Sequence, residues 1–285
     1  MIIRISDDFD LLKIADSGQC FRWERTETGW RIPHGGRCLR IEPAGENEYR
    51  LDCTEEDFRA VWRDYFDLGE NYGRIRARID PERDPFLWAA EEYGKGIRIL
   101  RQDPWEMLVT SILTQNRNIP GIRRCVRLLA EACGERKRDS EGEVWWVFPG
   151  PAAVLSIGGE GLARCAMGYR AKYVEAAARA ALDGRFRPEF LARAGGEETM
   201  AALTALYGVG VKVASCIALF GLHRLNAFPE DVWMRRILTN EYPRGYPFAE
   251  YAPYNGVYQQ YMFAYYRERA ARVNRTDRDN PRRRE

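Results

Sequence analysis

Two different rhythms of apolar residues divide this chain. Up to about residue 65 they come in short runs, IIRI, QCFRW, GWRI, RCLRIE and EYRLDC, separated by the turn-forming stretches ETG, HGG and PAGEN. Such runs between Gly-, Asn- and Pro-bearing turns predict a small antiparallel sheet. From about residue 85 the spacing becomes helical. Asp103-Pro104-Trp105-Glu106 predicts a helix start: Asp103 can cap, Pro104 suits the first helical position, and Glu106 falls three residues after the cap. Trp105, Leu108, Val109, Ile112 and Leu113 follow at helical spacing as far as Gln115-Asn116. GIRRCVRLLAEACG predicts a second helix closed by Gly134, and KYVEAAARAALDG another closed by Gly184. Strands followed by helices make this an α+β chain. We divide it into an antiparallel β region over 1–90, a helical region over 91–271 and a basic tail over 272–285, whose composition predicts disorder.

Residues 197–221, EETMAALTALYGVGVKVASCIALFG, predict two apolar helices joined by the hairpin Tyr207-Gly208-Val209-Gly210. Gly208 and Gly210 permit a tight turn whose backbone N–H groups point outward at a helix start, a geometry that can bind phosphate. The plain alternative is a packed corner of a helical core. Lys212 falls in the first turn of the second helix, where the positive end of the helix dipole and apolar neighbours disfavour its protonated form. A neutral lysine amine is a nucleophile, a task arginine cannot perform. Against this stands a lysine whose stem lies on a packed helix and whose head reaches water. In FPEDVWMRRIL, Asp231 is placed to cap the next helix and would remain ionised there. If the fold brings it near Lys212, the carboxylate can stabilise a developing cation. Cys216 shares a helical face with Lys212, and Gln259 with Phe263. Together these side chains suit a planar heterocycle.

Composition narrows the classes. The chain has 285 residues, 45% of them hydrophobic, enough for a sizeable core. Seven scattered cysteines form no CxxC pair, so we expect reduced thiols, no structural zinc and no cysteine-ligated cluster. Two histidines argue against a histidine triad or a histidine-rich metal site. The start MIIRISDDFD lacks a signal-peptide pattern and no run approaches a membrane span, so a cytoplasmic protein, nucleoid-associated if bacterial, is expected. Positive charge comes from 39 arginines and only five lysines. Arginine's planar fork suits phosphate, which makes a polyanion partner reasonable. The clusters at 135–138 and 282–284 are expected to be solvated loop and tail charges.

LYGVGVKVASCIALFGL followed by AFPEDVWMRRIL resembles the helix–hairpin–helix, Gly-Pro-Asp superfamily of DNA glycosylases, and within it the 8-oxoguanine DNA glycosylases. SGQCFRW, RQDPWEMLVTSILTQNRNI, MGYRAKYV and YNGVYQQYMF are similar to that family's segments in the same order, from about residue 8 to 265. The resemblance implies a TATA-box-binding-protein-like N-terminal sheet packed on an all-α helix–hairpin–helix domain. It implies Lys212 as the nucleophile, Asp231 as the motif carboxylate, and Gly18 as the residue whose carbonyl reads the N7 hydrogen of the oxidised base. It further implies Cys216 and Phe263 as the base sandwich and Gln259 at the Watson–Crick edge. On the DNA it implies Asn116 in the vacated space, Tyr169 as a wedge and Arg170 at the estranged cytosine, with Gly208 and Gly210 at the phosphates.

The chain departs from the animal enzymes at Gly121, where they have a second cytosine-reading arginine, and at Trp233, where they have a histidine. Looser opposite-base discrimination and an altered phosphate contact are expected. The implied activity is removal of 8-oxoguanine from double-stranded DNA, opposite cytosine, with associated lyase activity. A monomer is expected, with no metal or other cofactor in the chemistry, although a monovalent cation could sit at the hairpin carbonyls. The alternatives are a monofunctional alkylated-base glycosylase, which lacks the lysine, and a non-enzymatic helix–hairpin–helix DNA-binding module. Endonuclease III-type enzymes carry a four-cysteine cluster after the aspartate, whereas no cysteine follows Cys216 here.

Overall fold

The structure is a computed structural model and describes residues 1–278. Five strands form an antiparallel sheet: β1 (Ile2–Arg4), β2 (Glu24–Arg25), β3 (Trp30–His34), β4 (Arg37–Gly45) and β5 (Glu48–Leu51), in the order β1-β5-β4-β3-β2. Alternation along β3 and β4 turns Ile32, Leu39 and Ile41 inward, onto Ile14, Trp62 and Phe66. The helices that carry the rest of the fold are α1 (Leu11–Asp16), α2 (Tyr72–Arg76), α3 (Pro85–Gly94), α4 (Pro104–Leu113), α5 (Ile119–Cys133), α6 (Ala171–Leu182), α7 (Gly196–Thr204), α8 (Val211–Phe220), α9 (Val232–Glu241) and α10 (Asn255–Arg278). No helix among the described residues is long and apolar enough to cross a membrane.

Three apolar clusters hold the elements. One lies behind the sheet. A second joins α4, α5 and α6 to one side of α8. The third packs the other side of α8 against α2, α3 and α10. Helix α8 is therefore held from two directions, its first turn by Val213 and Ala214 in the one cluster and its later turns also by Cys216, Leu219 and Phe220 in the other. The close approach of α3 to α10 depends on Gly94, where an added Cβ would stand 2.4 Å from the Tyr261 ring.

The sheet side and the helical side are tied by buried polar groups. Arg98 is 1% exposed and donates to the carbonyls of Asp8, Phe66, Asp67 and Glu70 at 2.7–3.1 Å. Buried Asp67 accepts from Tyr72 Oη (2.9 Å) and Arg101 Nε (3.0 Å), and His223 Nε2, beyond the end of α8, lies 3.1 Å from it.

Four expectations change. QCFRW is not a strand; only Glu24–Arg25 pairs in the sheet. The buried Gln19 amide supplies the hydrogen bonds there, donating to Ser17 Oγ and Arg98 O and accepting from Leu100 N, each at 2.8 Å. Helical structure appears before residue 65, in α1 and again from Glu55, where Thr54 caps the turn by accepting from Asp57 N. Residues 136–138 are not a solvated loop but a strand, β6 (Arg136–Arg138), paired with β7 (Val144–Trp146). This hairpin is fastened to the sheet by Arg31 and Arg40, which bind Asp139 and Glu143. Finally, α10 continues to Arg278, past the expected start of a disordered tail at 272, and the cluster at 282–284 lies outside the described residues.

Burial alone would raise the Asp67 carboxyl, but the close approach of His223, with Arg101 and Tyr72, holds it below the ordinary 3.8. A lowered carboxylate contributes stability above its unfolded value and loses it as pH falls through the lowered one. Urea unfolding across pH should therefore show stability falling below about pH 3.8. Asp67→Asn should cost about 1–3 kcal/mol at neutral pH and flatten that acid limb.

Candidate active site

The site is assembled from helix ends. Asp103 Oδ1 accepts from Glu106 N at 2.7 Å and starts α4, which stays buried from Met107 to Leu113. Thr114, Gln115 and Asn116 then leave the helix, with Asn116 in the left-handed region (φ 46°) and exposed. Asn118 restarts the chain as α5 by accepting from Gly121 N at 3.0 Å.

The α7–α8 hairpin closes on Tyr173 of α6. Gly208 has φ +83°, and a Cβ there would stand 2.3 Å from the Tyr173 ring. Gly210, with φ −86°, faces open space and serves as the N-cap of α8. Tyr169, Tyr173 and Tyr207 form an edge-to-face series with centroid spacings of 5.9 and 5.1 Å. The Lys172 ammonium lies over the rings of Tyr173 and Tyr207, at 5.3 and 5.9 Å. Both outer rings are exposed, Tyr169 by 50% and Tyr207 by 58%.

Lys212 projects from the first turn of α8 and donates from Nζ to Thr114 Oγ1 at 3.0 Å. One turn on, burial pushes the Cys216 thiol above its ordinary value, even though Lys212 acts to lower it. Cys216 is thus kept as a thiol. Asp231 caps α9, accepting from Met234 N at 2.8 Å. Gly18, at φ +85° just after α1, faces Phe263, whose ring edge would lie 3.5 Å from an added Cβ. Gln259 is buried and its Oε1 accepts from Gln260 Nε2 at 2.8 Å, so its own NH2 has no protein partner among the described residues.

A cavity of about 430 Å³ brings Gly18, Lys212, Cys216, Asp231, Gln259 and Phe263 into one lining, with Trp233 also on its wall. The sequence placed these residues on four separate segments. Trp233 stands edge-on to Tyr266 at 6.2 Å, with the Arg236 guanidinium 5.5 Å from its ring. Among the described residues no His, Cys, Asp or Glu cluster is placed to hold a metal ion.

Asn116, Tyr169, Arg170, Gly208 and Gly210 lie outside this lining. Arg170 has structural partners of its own. It is buried, at 4% exposure, and its donors are spent on the carbonyls of Gln115, Asn116 and Met167. Its charge thereby fixes the turn that presents Asn116. At Gly121, a Cβ would stand 3.0 Å from Arg117 Cγ, so the missing side chain makes room for the Arg117 stem. The Arg117 guanidinium donates to Ala166 O at 2.9 Å.

The sequence reading passed over Thr114, Gln115 and Arg267. Gln115 Nε2 donates to Gly208 O at 3.0 Å and ties the end of α4 to the hairpin. Arg267 lies over the Phe263 ring at 5.3 Å and donates to Asp16 O at 3.2 Å. The QN dipeptide after the α4 apolar run was the available signal for the first two. Arg267 had only its spacing of four from Phe263.

Replacing Gly208 by Ala should destabilise the fold by more than about 1 kcal/mol, because both the dihedral and the Tyr173 ring oppose a Cβ. Gly210→Ala should change stability by only about a few tenths of a kcal/mol, as expected at an open capping position. Denaturant unfolding of the two variants side by side checks the contrast.

Residues 2–108 match the family described as 8-oxoguanine DNA glycosylase, N-terminal domain. The chain is 30% identical over 235 residues to "N-glycosylase/DNA lyase OGG1" of Arabidopsis thaliana, covering 79% of this chain and 64% of that protein. It is 33% identical over 257 residues to the "N-glycosylase/DNA lyase" of Saccharomyces cerevisiae, covering 81% of this chain and 68% of that one. The chain thus spans about two thirds of the length of these relatives. A solved structure of Clostridium acetobutylicum 8-oxoguanine glycosylase/lyase, in complex with dsDNA containing cytosine opposite 8-oxoG, superposes with a TM-score of 0.87 at 32% identity, covering 94% of this chain and 95% of that one. With sheet, helical domain and cavity all accounted for by that likeness, the chain belongs to the 8-oxoguanine DNA glycosylase family.

Proposed function

We propose that the protein removes 8-oxoguanine from duplex DNA, opposite cytosine, and then nicks the strand by β-elimination. The observation that carries this reading is the single cavity that holds one amine, one carboxylate, a thiol, an uncommitted amide and an aromatic face. A base inside a duplex is out of reach of Lys212, so the nucleotide must leave the stack, at a cost of roughly a few kcal/mol. Asn116 would fill the space left behind, and Tyr169 would part the stack beside it. Phosphates would meet the N–H groups of the hairpin at Gly208 and Gly210.

In the cavity, Cys216 and Phe263 would hold the two faces of the base and Gln259 its Watson–Crick edge. The Gly18 carbonyl would accept from N7–H, which 8-oxoguanine has and guanine lacks. The Lys212 amine, freed of its proton, would attack C1′ as the bond to the base breaks and its electron pair leaves with the base. Asp231 would stabilise positive charge developing on the sugar. Opening of the sugar would give a Schiff base on Nζ, and loss of the 3′ phosphate would follow. We place this work in the cytoplasm, by a monomer on duplex DNA.

A monofunctional enzyme for alkylated bases has no use for an amine in the cavity, and a DNA-binding module has none for the cavity itself. Incubation with an 8-oxoguanine duplex and borohydride should trap wild-type protein covalently and leave Lys212→Gln untrapped. Release of the base by both proteins with trapping of neither would sink the reading. Asp231→Asn keeps a capping side chain, so it should stay folded while single-turnover excision falls by about 10²–10³. Lys172, over the Tyr173 and Tyr207 rings beside the hairpin, is placed for one phosphate. Lys172→Ala should weaken binding to all duplexes alike and reduce the salt slope by about 1.

A further inference from the structure

A second cavity, of about 390 Å³, opens between α5, the β6–β7 hairpin and the segment 21–24. It shares Phe21 and Pro120 with the base cavity and is nearly as large. Its walls are mostly apolar and aromatic, with Phe21, Trp145 and Trp146 among them, and its rim is arginine.

Most of that rim is already neutralised. Arg22 pairs with Glu106 at 3.1 Å, Arg127 with Glu131 at 2.9 Å, and Arg31 with Glu24 and Glu143. These pairings also occupy both carboxylates of the lining. Two arginines are left over. Among the described residues Arg124 is exposed with no ion pair or hydrogen bond, and Arg123 makes one hydrogen bond, at 3.4 Å to Ala15 O. Two donors of the wall are buried without partners, Trp145 Nε1 and Arg123 Nε. Buried polar groups are ordinarily satisfied, so unpaired donors in a cavity wall are a reason to look for an acceptor.

Aromatic walls, excess positive charge and donors seeking acceptors suit one ligand chemistry: a planar heterocycle with carbonyl or ring-nitrogen acceptors, joined to a phosphate. The helix that carries Arg123 and Arg124 begins three residues after Asn116, so a duplex engaged by Asn116 brings its own nucleotides to the mouth at high effective concentration. We propose that this cavity is a second nucleotide site, taking an undamaged nucleotide of the bound DNA while the lesion occupies the first. The inference rests on the DNA-glycosylase reading above. The base lies on the aromatic wall, and its phosphate faces Arg123 and Arg124.

The test places 2-aminopurine at each position flanking the lesion, on both strands in turn, in a duplex whose lesion nucleotide carries a 2′-fluorine that blocks excision. Emission is read with wild type, with Trp145→Leu and with the Arg123→Ala/Arg124→Ala double variant. One undamaged position should change its emission on binding wild type, and both variants should lose that change. Their excision of an ordinary 8-oxoguanine duplex at saturating enzyme should match wild type, which also shows that they fold. Absence of any responding position with wild type, or an equal response in the variants, overturns the proposal. Calorimetric titration with dGMP distinguishes the source: binding that both variants lose, without a responding DNA position, means a free-nucleotide site and overturns the DNA-linked occupant. A wild type that neither binds the duplex nor excises the lesion fails the earlier reading instead.

Discussion

The end of helix α4 is the fixed point from which the site is hung. Thr114 receives the Lys212 amine, the Gln115 side chain reaches the hairpin carbonyl of Gly208, and Arg170 gathers the carbonyls of Gln115 and Asn116. Two segments far apart in sequence, the hairpin with the start of α8 and the turn at Arg170, thus meet on three consecutive residues. Each hydrogen bond is worth only about 1 kcal/mol net. Their contribution is position, because α4 is buried along its length and cannot shift without disturbing the helical core.

That anchoring gives the cavity a division of labour. Cys216 is buried and remains a thiol, so it offers a soft apolar face and does not compete with Lys212 as a nucleophile. Asp231 spends one oxygen on the backbone of α9 and lies on the cavity wall. The opposite wall is assembled from the two ends of the chain: Gly18 comes from the loop after α1 and Phe263 from the last helix. Arg267 spans them by covering the ring and bonding the carbonyl of Asp16.

What could be read from the sequence was what acts locally. Asp103 and Asp231 cap through a backbone N–H three residues away, so each helix start was visible in a few letters. The hairpin was visible because Gly208 needs a backbone conformation that other residues avoid. Family resemblance supplied the common cavity, which no local pattern encodes. Long-range pairing defeated the rest. Residues 19–23 have strand composition, yet Gln19 bonds to Arg98 and Leu100, about eighty positions away. The cluster at 135–138 looked like a loop because the hairpin that contains it is held by Asp139 and Glu143 on Arg31 and Arg40, a hundred residues earlier. The carbonyls that hold buried Arg170 were not legible either, because spacing does not reveal which ones a buried guanidinium will find.

Both groups proposed for the chemistry stand at the starts of helices, Lys212 in the first turn of α8 and Asp231 at the cap of α9, and the core begins immediately behind them. Side chains there can be exchanged at little cost to packing. The catalytic repertoire is therefore separable from foldability. Under the proposed function, exchanging the amine alone would remove the covalent step and leave in place the residues proposed to hold DNA. The architecture lets chemistry drift and keeps recognition in place.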